Sequence, residues 1–215
     1  MIKEFFQIPN VLSLSRILLT PVIGYYLWRG DNQATLICVI LLIVAAVTDG
    51  LDGYLARRLG QVSNLGIALD PVADKIFAGV LVVLLIFYRD FPLWLAAVIV
   101  GRDLLIILAG LILMKGRPQP LPSNLTGKYA FGAIAVLLGA YVIQYDFGIW
   151  MTTWLTVILV AASTVNYAVR FVRISRGGDD RPFEDKPVYK YLRVGLTLVL
   201  FALFLYRLGI DLFAG

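Results

Sequence analysis

Four aspartates recur at helical spacing in a short, largely apolar part of the sequence. Asp49 and Asp52 are three residues apart, and Asp70 and Asp74 are four apart, so each pair lies on one face of a helix. A carboxylate in or beside a bilayer core costs roughly 2.5 kcal/mol or more. Divalent cations offset that cost best, because they take oxygen ligands and cancel negative charge. The spacing therefore predicts a metal site at a membrane surface.

Small residues and one arginine accompany the aspartates. Gly53, Ala56 and Gly66 would keep the gap between two antiparallel helices free of side chains, and Arg57 offers a bidentate fork for a phosphate. The helices would be joined by a short turn over residues 58–65, so that their carboxylates face each other. Two hard cations about 3.5–4 Å apart are a recurrent device for phosphoryl transfer, and we therefore favour a metal–phosphate site.

The spacing alone leaves two other interpretations open. Aspartate pairs in membrane spans also form proton or sodium sites in ion-coupled transporters. Small residues at four-residue spacing also serve helix packing without any ligand.

The composition predicts an all-α integral membrane protein. Of the 215 residues, 60% are hydrophobic, and the mean hydropathy is +0.85, whereas soluble domains are about 45–50% apolar. No histidine is present, so a general base must be Asp, Glu, Lys or Tyr, and imidazole metal ligands are excluded. Cys38 is the single cysteine, which excludes an intrachain disulfide. The net charge of +5 indicates positive-inside flanking and anionic lipid rather than nucleic acid.

Apolar runs of about 20 residues predict a bundle of six transmembrane helices. We place the spans at about 11–29, 34–57, 66–88, 92–114, 126–145 and 149–172. Residues 1–172 then form one membrane domain, 173–190 a polar cytoplasmic linker, and 191–215 a segment whose apolar run at 191–210 is long enough for an additional C-terminal span. We expect no cleavable signal peptide, because no small-residue cleavage site follows a short apolar core.

The distribution of lysine and arginine predicts the orientation of the spans. With the amino terminus in the cytoplasm, most of these cations, Arg16 among them, fall on the cytoplasmic side. Arg29, Arg89 and Arg207 fall on the other side, and Arg102 lies within a span. The positive-inside rule therefore places the carboxylate motif at the cytoplasmic face of a plasma (inner) membrane.

The complete motif resembles the signature of the CDP-alcohol phosphatidyltransferases. It reads Asp49-x2-Asp52-Gly53-x2-Ala56-Arg57-x8-Gly66-x3-Asp70-x3-Asp74, with every fixed position filled. The opening string from Ile8 to Arg16 also resembles the start of bacterial phosphatidylglycerophosphate synthases and CMP-forming cardiolipin synthases. The resemblance covers about residues 8–172 and implies a six-helix membrane enzyme that displaces CMP from a CDP-linked lipid with an alcohol.

The resemblance also implies roles for individual residues. Two Mg²⁺ or Mn²⁺ ions would be held by four carboxylates: Asp49, Asp52, Asp70 and Asp74. Asp74 would also be the general base for the incoming hydroxyl. The CDP-lipid would be bound by residues of the first three spans and their connection: Asn10, Ser13, Gly53, Ala56, Arg57, Ser63 and Gly66. A homodimer is a further implication, although the sequence itself shows no interface.

The acceptor alcohol is the least determined part of this interpretation. Arg102, Lys128 and Arg170 are candidates for binding it, although ordinary positive-inside flanking explains Lys128 and Arg170 equally well. Arg102 and Asp103 would be either self-paired or directed into a cavity, because a lone charge within a span is costly. The basic residues favour glycerol 3-phosphate as acceptor, with CDP-diacylglycerol as donor. Phosphatidylglycerol, which would give cardiolipin, is the alternative.

Overall fold

The computed structural model describes residues 8–59, 64–114, 125–176 and Tyr206, and every regular element in these ranges is an α-helix. The helices are α1 (Ile8–Arg29), α2 (Asn32–Leu59), α3 (Asn64–Tyr88), α4 (Leu93–Met114), α5 (Leu125–Ile143) and α6 (Asp146–Ser175).

Each predicted span corresponds to one of these helices. The main difference in length is at α6, which ends at Ser175, so that residues 173–175 of the predicted linker are helical. Residues 177–190 of the linker and the predicted seventh span lie outside the described residues, apart from Tyr206. Both stay predictions.

Several helices have the length and apolar character of membrane spans. Four described stretches qualify: Asn10–Arg29, Asn32–Asp49, Leu125–Ile143 and Asp146–Ser175. Large apolar side chains also face outward, with Leu18 of α1 73% exposed and Phe87 of α3 75% exposed. Such surfaces need a hydrocarbon environment. The fold is therefore that of an all-helical integral membrane protein, and the complete six-span bundle stays a prediction.

The described helices fall into two compact units. Unit 1 contains α1 to α3, α4 as far as Val100, and Leu138–Gln144. Unit 2 contains the remainder of α4 from Gly101, α5 as far as Leu137, and α6.

In unit 1, α1 packs against both α2 and α3. Gly24 lets α1 approach α3 closely, since a Cβ there would lie 3.0 Å from Cδ2 of Leu84. Ile23 and Leu27 of α1 are fully buried, as is Leu85 of α3. Small residues at helix crossings and interlocked aliphatic side chains are the usual means of packing in a membrane. They fix the lateral position of α1 relative to the two helices that carry the aspartate motif.

The connection between α1 and α2 is built by Gly30 and Asp31. Gly30 has φ of +70°, which glycine adopts without a Cβ penalty. Asp31 caps α2, because its Oδ1 accepts a hydrogen bond from the backbone N–H of Ala34 at 2.7 Å. That bond, and a further one from Arg29 Nε at 3.0 Å, hold the pKa of Asp31 below its ordinary value.

Candidate active site

One arginine of α1 joins the two halves of the aspartate motif. The Nη1 of Arg16 donates to Oδ1 of Asp49 on α2 and also to Oδ1 of Asp74 on α3. The Arg16 side chain is 4% exposed, whereas those of Asp49 and Asp74 are 44% and 30% exposed. Two carboxylates from different helices therefore converge on a single buried cationic nitrogen.

Arg16 belongs to a buried polar face of α1. Asn10, Ser13, Arg16 and Thr20 follow one another at three- and four-residue spacing, and all four are buried. This spacing places them on the side of α1 that packs against α2 and α3. The predicted CDP-lipid residues Asn10 and Ser13 therefore share a helix face with the arginine that contacts Asp49 and Asp74.

For the other residues of the motif, the structure shows only the helix in which each one lies. Asp52, Gly53, Ala56 and Arg57 lie in α2, and Gly66 and Asp70 lie in α3. Ser63 lies outside the described residues. The roles of these seven residues stay predictions.

The donor set of the described motif suits a hard divalent cation. Oxygen atoms of two carboxylates already meet around one positive charge, and carboxylate oxygens are the ligands that Mg²⁺ and Mn²⁺ prefer. Among the described side chains, no group of three or more acidic or cysteine residues is close enough to form a metal site. The Asp49–Asp74 pair is thus the part of the predicted site that the structure places.

A second charged cluster lies within unit 2. The Nη1 of Arg102 on α4 donates to Asp103 Oδ1 at 2.6 Å, and its Nη2 donates to Ser163 Oγ of α6 at 2.8 Å. The first contact matches the self-paired arrangement considered from the sequence. Ser163 is fully buried, so the second contact fixes the guanidinium against α6.

Gly127 of α5 brings the Arg102 cluster against the α5 backbone. A Cβ at Gly127 would lie 3.3 Å from Nη2 of Arg102 and 3.5 Å from the hydroxyl oxygen of Tyr167. Of the other predicted acceptor residues, Lys128 is exposed on α5 and Arg170 is partly buried on α6. The structure thus adds Ser163 and Tyr167 to the surroundings of Arg102.

The sequence interpretation missed the most informative contact in the molecule. Arg16 was counted among the cations that flank the spans, but its side chain is buried and paired with two aspartates of the motif. The signal that points to it is its register, since Arg16 continues the three-residue spacing of Asn10 and Ser13. A cation in that register inside an apolar helix needs an acidic partner.

The fold is that of an apolar, all-helical membrane protein in which the carboxylates of Asp49 and Asp74 meet at Arg16. The family model for CDP-alcohol phosphatidyltransferase matches residues 6–162. The chain belongs to the CDP-alcohol phosphatidyltransferase family, and it is an enzyme of that class.

Individual relatives carry two different names. The chain is 34% identical over 174 residues to a CDP-diacylglycerol–glycerol-3-phosphate 3-phosphatidyltransferase of Aquifex aeolicus, covering 76% of this chain and 95% of the relative. A protein of the same name from Bacillus subtilis is 30% identical over 176 residues, covering 71% and 91%. The human cardiolipin synthase (CMP-forming) is 41% identical over 123 residues, covering 57% of this chain and 39% of the relative. The chain thus spans well under half of the human protein but nearly all of the two bacterial ones.

Proposed function

We propose that this enzyme transfers the phosphatidyl group of CDP-diacylglycerol to glycerol 3-phosphate, with release of CMP. The observation that carries the proposal is the convergence of Asp49 and Asp74 on one buried cationic nitrogen, within the segment that matches the family. The near-complete coverage of the Aquifex relative supports the acceptor. Neither the family nor these relatives support the ion-coupled transporter that the sequence left open.

The reaction is a displacement at phosphorus. A hydroxyl oxygen of the acceptor bonds to the phosphorus that carries the diacylglycerol group, and the bond from that phosphorus to the oxygen of CMP breaks. CMP leaves with the electron pair of that bond. The hydroxyl proton passes to a carboxylate oxygen of Asp74, which the family resemblance implies as the general base; a carboxylate can fill this role in a chain without histidine.

The site would hold two divalent cations, Mg²⁺ or Mn²⁺, on Asp49, Asp52, Asp70 and Asp74. When bound, they would neutralise the diphosphate and stabilise the negative charge that develops on CMP. The protein itself supplies positive charge for the same purpose through Arg57 of α2. On the prediction from the sequence, Gly53, Ala56 and Gly66 would leave room for the nucleotide, and Ser63 would contact it from the predicted turn.

We assign Asn10 and Ser13 to the part of the site that covers the nucleotide. Both lie on the buried polar face of α1, in line with Arg16. Their amide and hydroxyl groups supply hydrogen bonds without adding net charge beside the carboxylates. We therefore assign them to the CDP-lipid rather than to the metal.

We keep Arg102, Lys128 and Arg170 as the residues predicted to bind the acceptor. Arg102 is held in place by Asp103 and Ser163, and its Nε is buried without a hydrogen-bond partner among the described atoms. A fixed guanidinium suits a phosphate better than a mobile ammonium does. Lys128 and Arg170 would add charge for the same phosphate.

Phosphatidylglycerol is the second candidate acceptor. The 41% identity with the human cardiolipin synthase favours it, although the match covers only part of that protein. Both acceptors present a hydroxyl beside a phosphate, so the same residues serve either one. The choice between them determines whether the product is phosphatidylglycerophosphate or cardiolipin.

The proposed setting is a six-span bundle in the plasma (inner) membrane, with the site facing the cytoplasm. The lipid tails then stay in the bilayer while water-soluble CMP leaves on the side where nucleotides are found. The predicted linker, the additional C-terminal span and a homodimer complete this arrangement.

The acceptor is tested with purified protein in lipid nanodiscs, CDP-diacylglycerol and Mg²⁺. Separate reactions receive glycerol 3-phosphate, phosphatidylglycerol, serine or inositol phosphate, and lipid products are identified by mass spectrometry. We expect phosphatidylglycerophosphate from the first reaction. Cardiolipin from the second alone would favour the alternative, and no lipid product from any acceptor would refute the proposal.

A further inference from the structure

The position of the Arg16 nitrogen has a consequence for metal binding. Its Nη1 lies between Oδ1 of Asp49 and Oδ1 of Asp74. A cation bound by those same two oxygens would occupy the place of that nitrogen. The guanidinium and a metal cation cannot both occupy this position, because they would overlap and because their positive charges repel. Only one of them can be bound between the two oxygens at a time.

We infer that Arg16 is a built-in counterion that holds Asp49 and Asp74 together when metal is absent and gives up its place when a divalent cation binds. The inference rests on the proposed function, because it assigns a divalent cation to these two aspartates. Nothing in the spacing of the motif points to it, since Arg16 is 33 residues from Asp49 and 58 from Asp74 along the chain.

The charges explain why such a counterion is needed. Two carboxylates brought together repel each other and disfavour each other's ionised form. Arg16 offsets only part of the negative charge of the motif, so the carboxylates still attract a divalent cation. The metal-free site would thus stay assembled without being neutralised.

Because Arg16 is buried, its contacts with Asp49 and Asp74 matter for the stability of the folded protein. A buried guanidinium that loses its acidic partners is strongly destabilising. Asp49 and Asp74 keep partial exposure, at 44% and 30% of their side chains, so the protein does not enclose their oxygens, and in the proposed orientation they face the cytoplasm and its ions. An ion can therefore reach the pair from the exposed side while Arg16 contacts it from α1.

The test compares Arg16→Met with Arg16→Lys and a matched control, Arg89→Met. Arg89 is also buried in unit 1, but its guanidinium donates to Thr35 Oγ1 at 3.4 Å and to the carbonyl of Tyr88 at 3.2 Å, not to the motif. Arg89→Met thus removes a buried charge of the same kind without touching the aspartates.

Two quantities are measured on full-length protein in nanodiscs. Mn²⁺ affinity is read from the electron paramagnetic resonance signal of free Mn²⁺. The Tm is measured in EDTA and in saturating Mn²⁺. CMP release is recorded in parallel, so that a failure of the proposed reaction is seen separately.

Arg16→Met is expected to bind Mn²⁺ about ten-fold or more tightly than wild type, because no guanidinium then competes with the cation for the two carboxylates or repels it. Its Tm should fall in EDTA and recover in Mn²⁺, which gives a larger metal-dependent increase than in wild type. The Mn²⁺ affinity and the metal-dependent increase in Tm of Arg16→Lys should lie between those of wild type and Arg16→Met. The Tm of Arg89→Met should be lowered by the same amount in EDTA and in Mn²⁺, and its Mn²⁺ affinity should equal that of wild type.

Unchanged or weaker Mn²⁺ binding by Arg16→Met would overturn the inference, and so would a Tm loss of equal size in EDTA and Mn²⁺. If Arg16→Met cannot be purified, Arg16→Lys decides by the same criteria. Wild-type protein that releases CMP and binds Mn²⁺, beside an Arg16→Met variant with unchanged affinity, would refute only the role of Arg16. Wild-type protein that binds no Mn²⁺ would refute the metal site as well.

Discussion

Asp49 of α2 and Asp74 of α3 share one hydrogen-bond donor, the Nη1 of Arg16. This relationship connects the two halves of the family motif through a third helix. From the sequence, the aspartates alone would both bind cations and hold the two helices of the site together. The contact with Arg16 indicates that the arginine shares the second of these functions.

Asp74→Asn tests the general base. The amide keeps an oxygen for hydrogen bonding but cannot take the proton of the acceptor hydroxyl, so kcat should fall by about 100-fold or more. Asp90→Asn is the matched control, since Asp90 follows the other end of α3 and has φ of 53°, which asparagine tolerates. Steady-state CMP release measures both. Near-normal turnover by Asp74→Asn would remove Asp74 from the base assignment.

Removal of divalent cations tests the cofactor. Excess chelator should abolish CMP release, and added Mg²⁺ or Mn²⁺ should restore it, because the diphosphate would otherwise repel a second anionic substrate. Ca²⁺ provides a comparison, as a larger cation with looser coordination. Full activity in excess chelator would exclude a metal role.

Ser163→Ala tests whether Arg102 binds the acceptor. The variant removes the 2.8 Å contact that fixes Nη2 of Arg102, so the KM for glycerol 3-phosphate should rise by about ten-fold, in line with the loss of one charge-assisted hydrogen bond. The KM for CDP-diacylglycerol should stay the same. The control is Thr164→Ala, because Thr164 donates only to its own helix, at Val160 O. An equal rise in both KM values would indicate a structural role for Ser163.

Asp31→Ala tests the cap of α2. The folded-state pKa of Asp31 lies below its ordinary value of 3.8, first because of the Ala34 N–H and then because of Arg29. Its contribution to stability is therefore present at neutral pH and is lost as the pH falls through the lowered pKa. The Tm of Asp31→Ala should be below that of wild type at pH 7, and the difference should shrink below about pH 4. Asp31→Asn keeps an oxygen that can accept the hydrogen bond from Ala34, so its Tm should fall less than that of Asp31→Ala. A difference that does not change with pH would contradict this account.

Local sequence signals were sufficient to predict the helices. Apolar runs of membrane-spanning length define α1 to α6, and residues such as Gly30 and Asp31 mark a break between two of them. Helix α6 continues to Ser175, three residues beyond the predicted span. The charged residues after the apolar run were assigned to a linker, but a helix can continue beyond the bilayer while its side chains meet water.

The site was only partly predictable, because its decisive contacts join distant parts of the chain. The aspartate spacing indicates which helix face carries each pair, but it does not indicate what lies opposite. Arg16 and Ser163 are the missing partners, and they are separated from Asp74 and Arg102 by 58 and 61 residues. Such pairings depend on how α1 and α6 pack, which local periodicity does not determine.

The most direct test of the central claim is acceptor-dependent CMP release from CDP-diacylglycerol by wild-type protein and by an Asp49→Asn/Asp74→Asn variant in identical nanodiscs with Mg²⁺. We predict that wild type releases one CMP for each phosphatidyl group transferred to glycerol 3-phosphate, and that the variant is slower by about 100-fold or more. Release at the wild-type rate by the variant, or no release by wild type, would contradict the account.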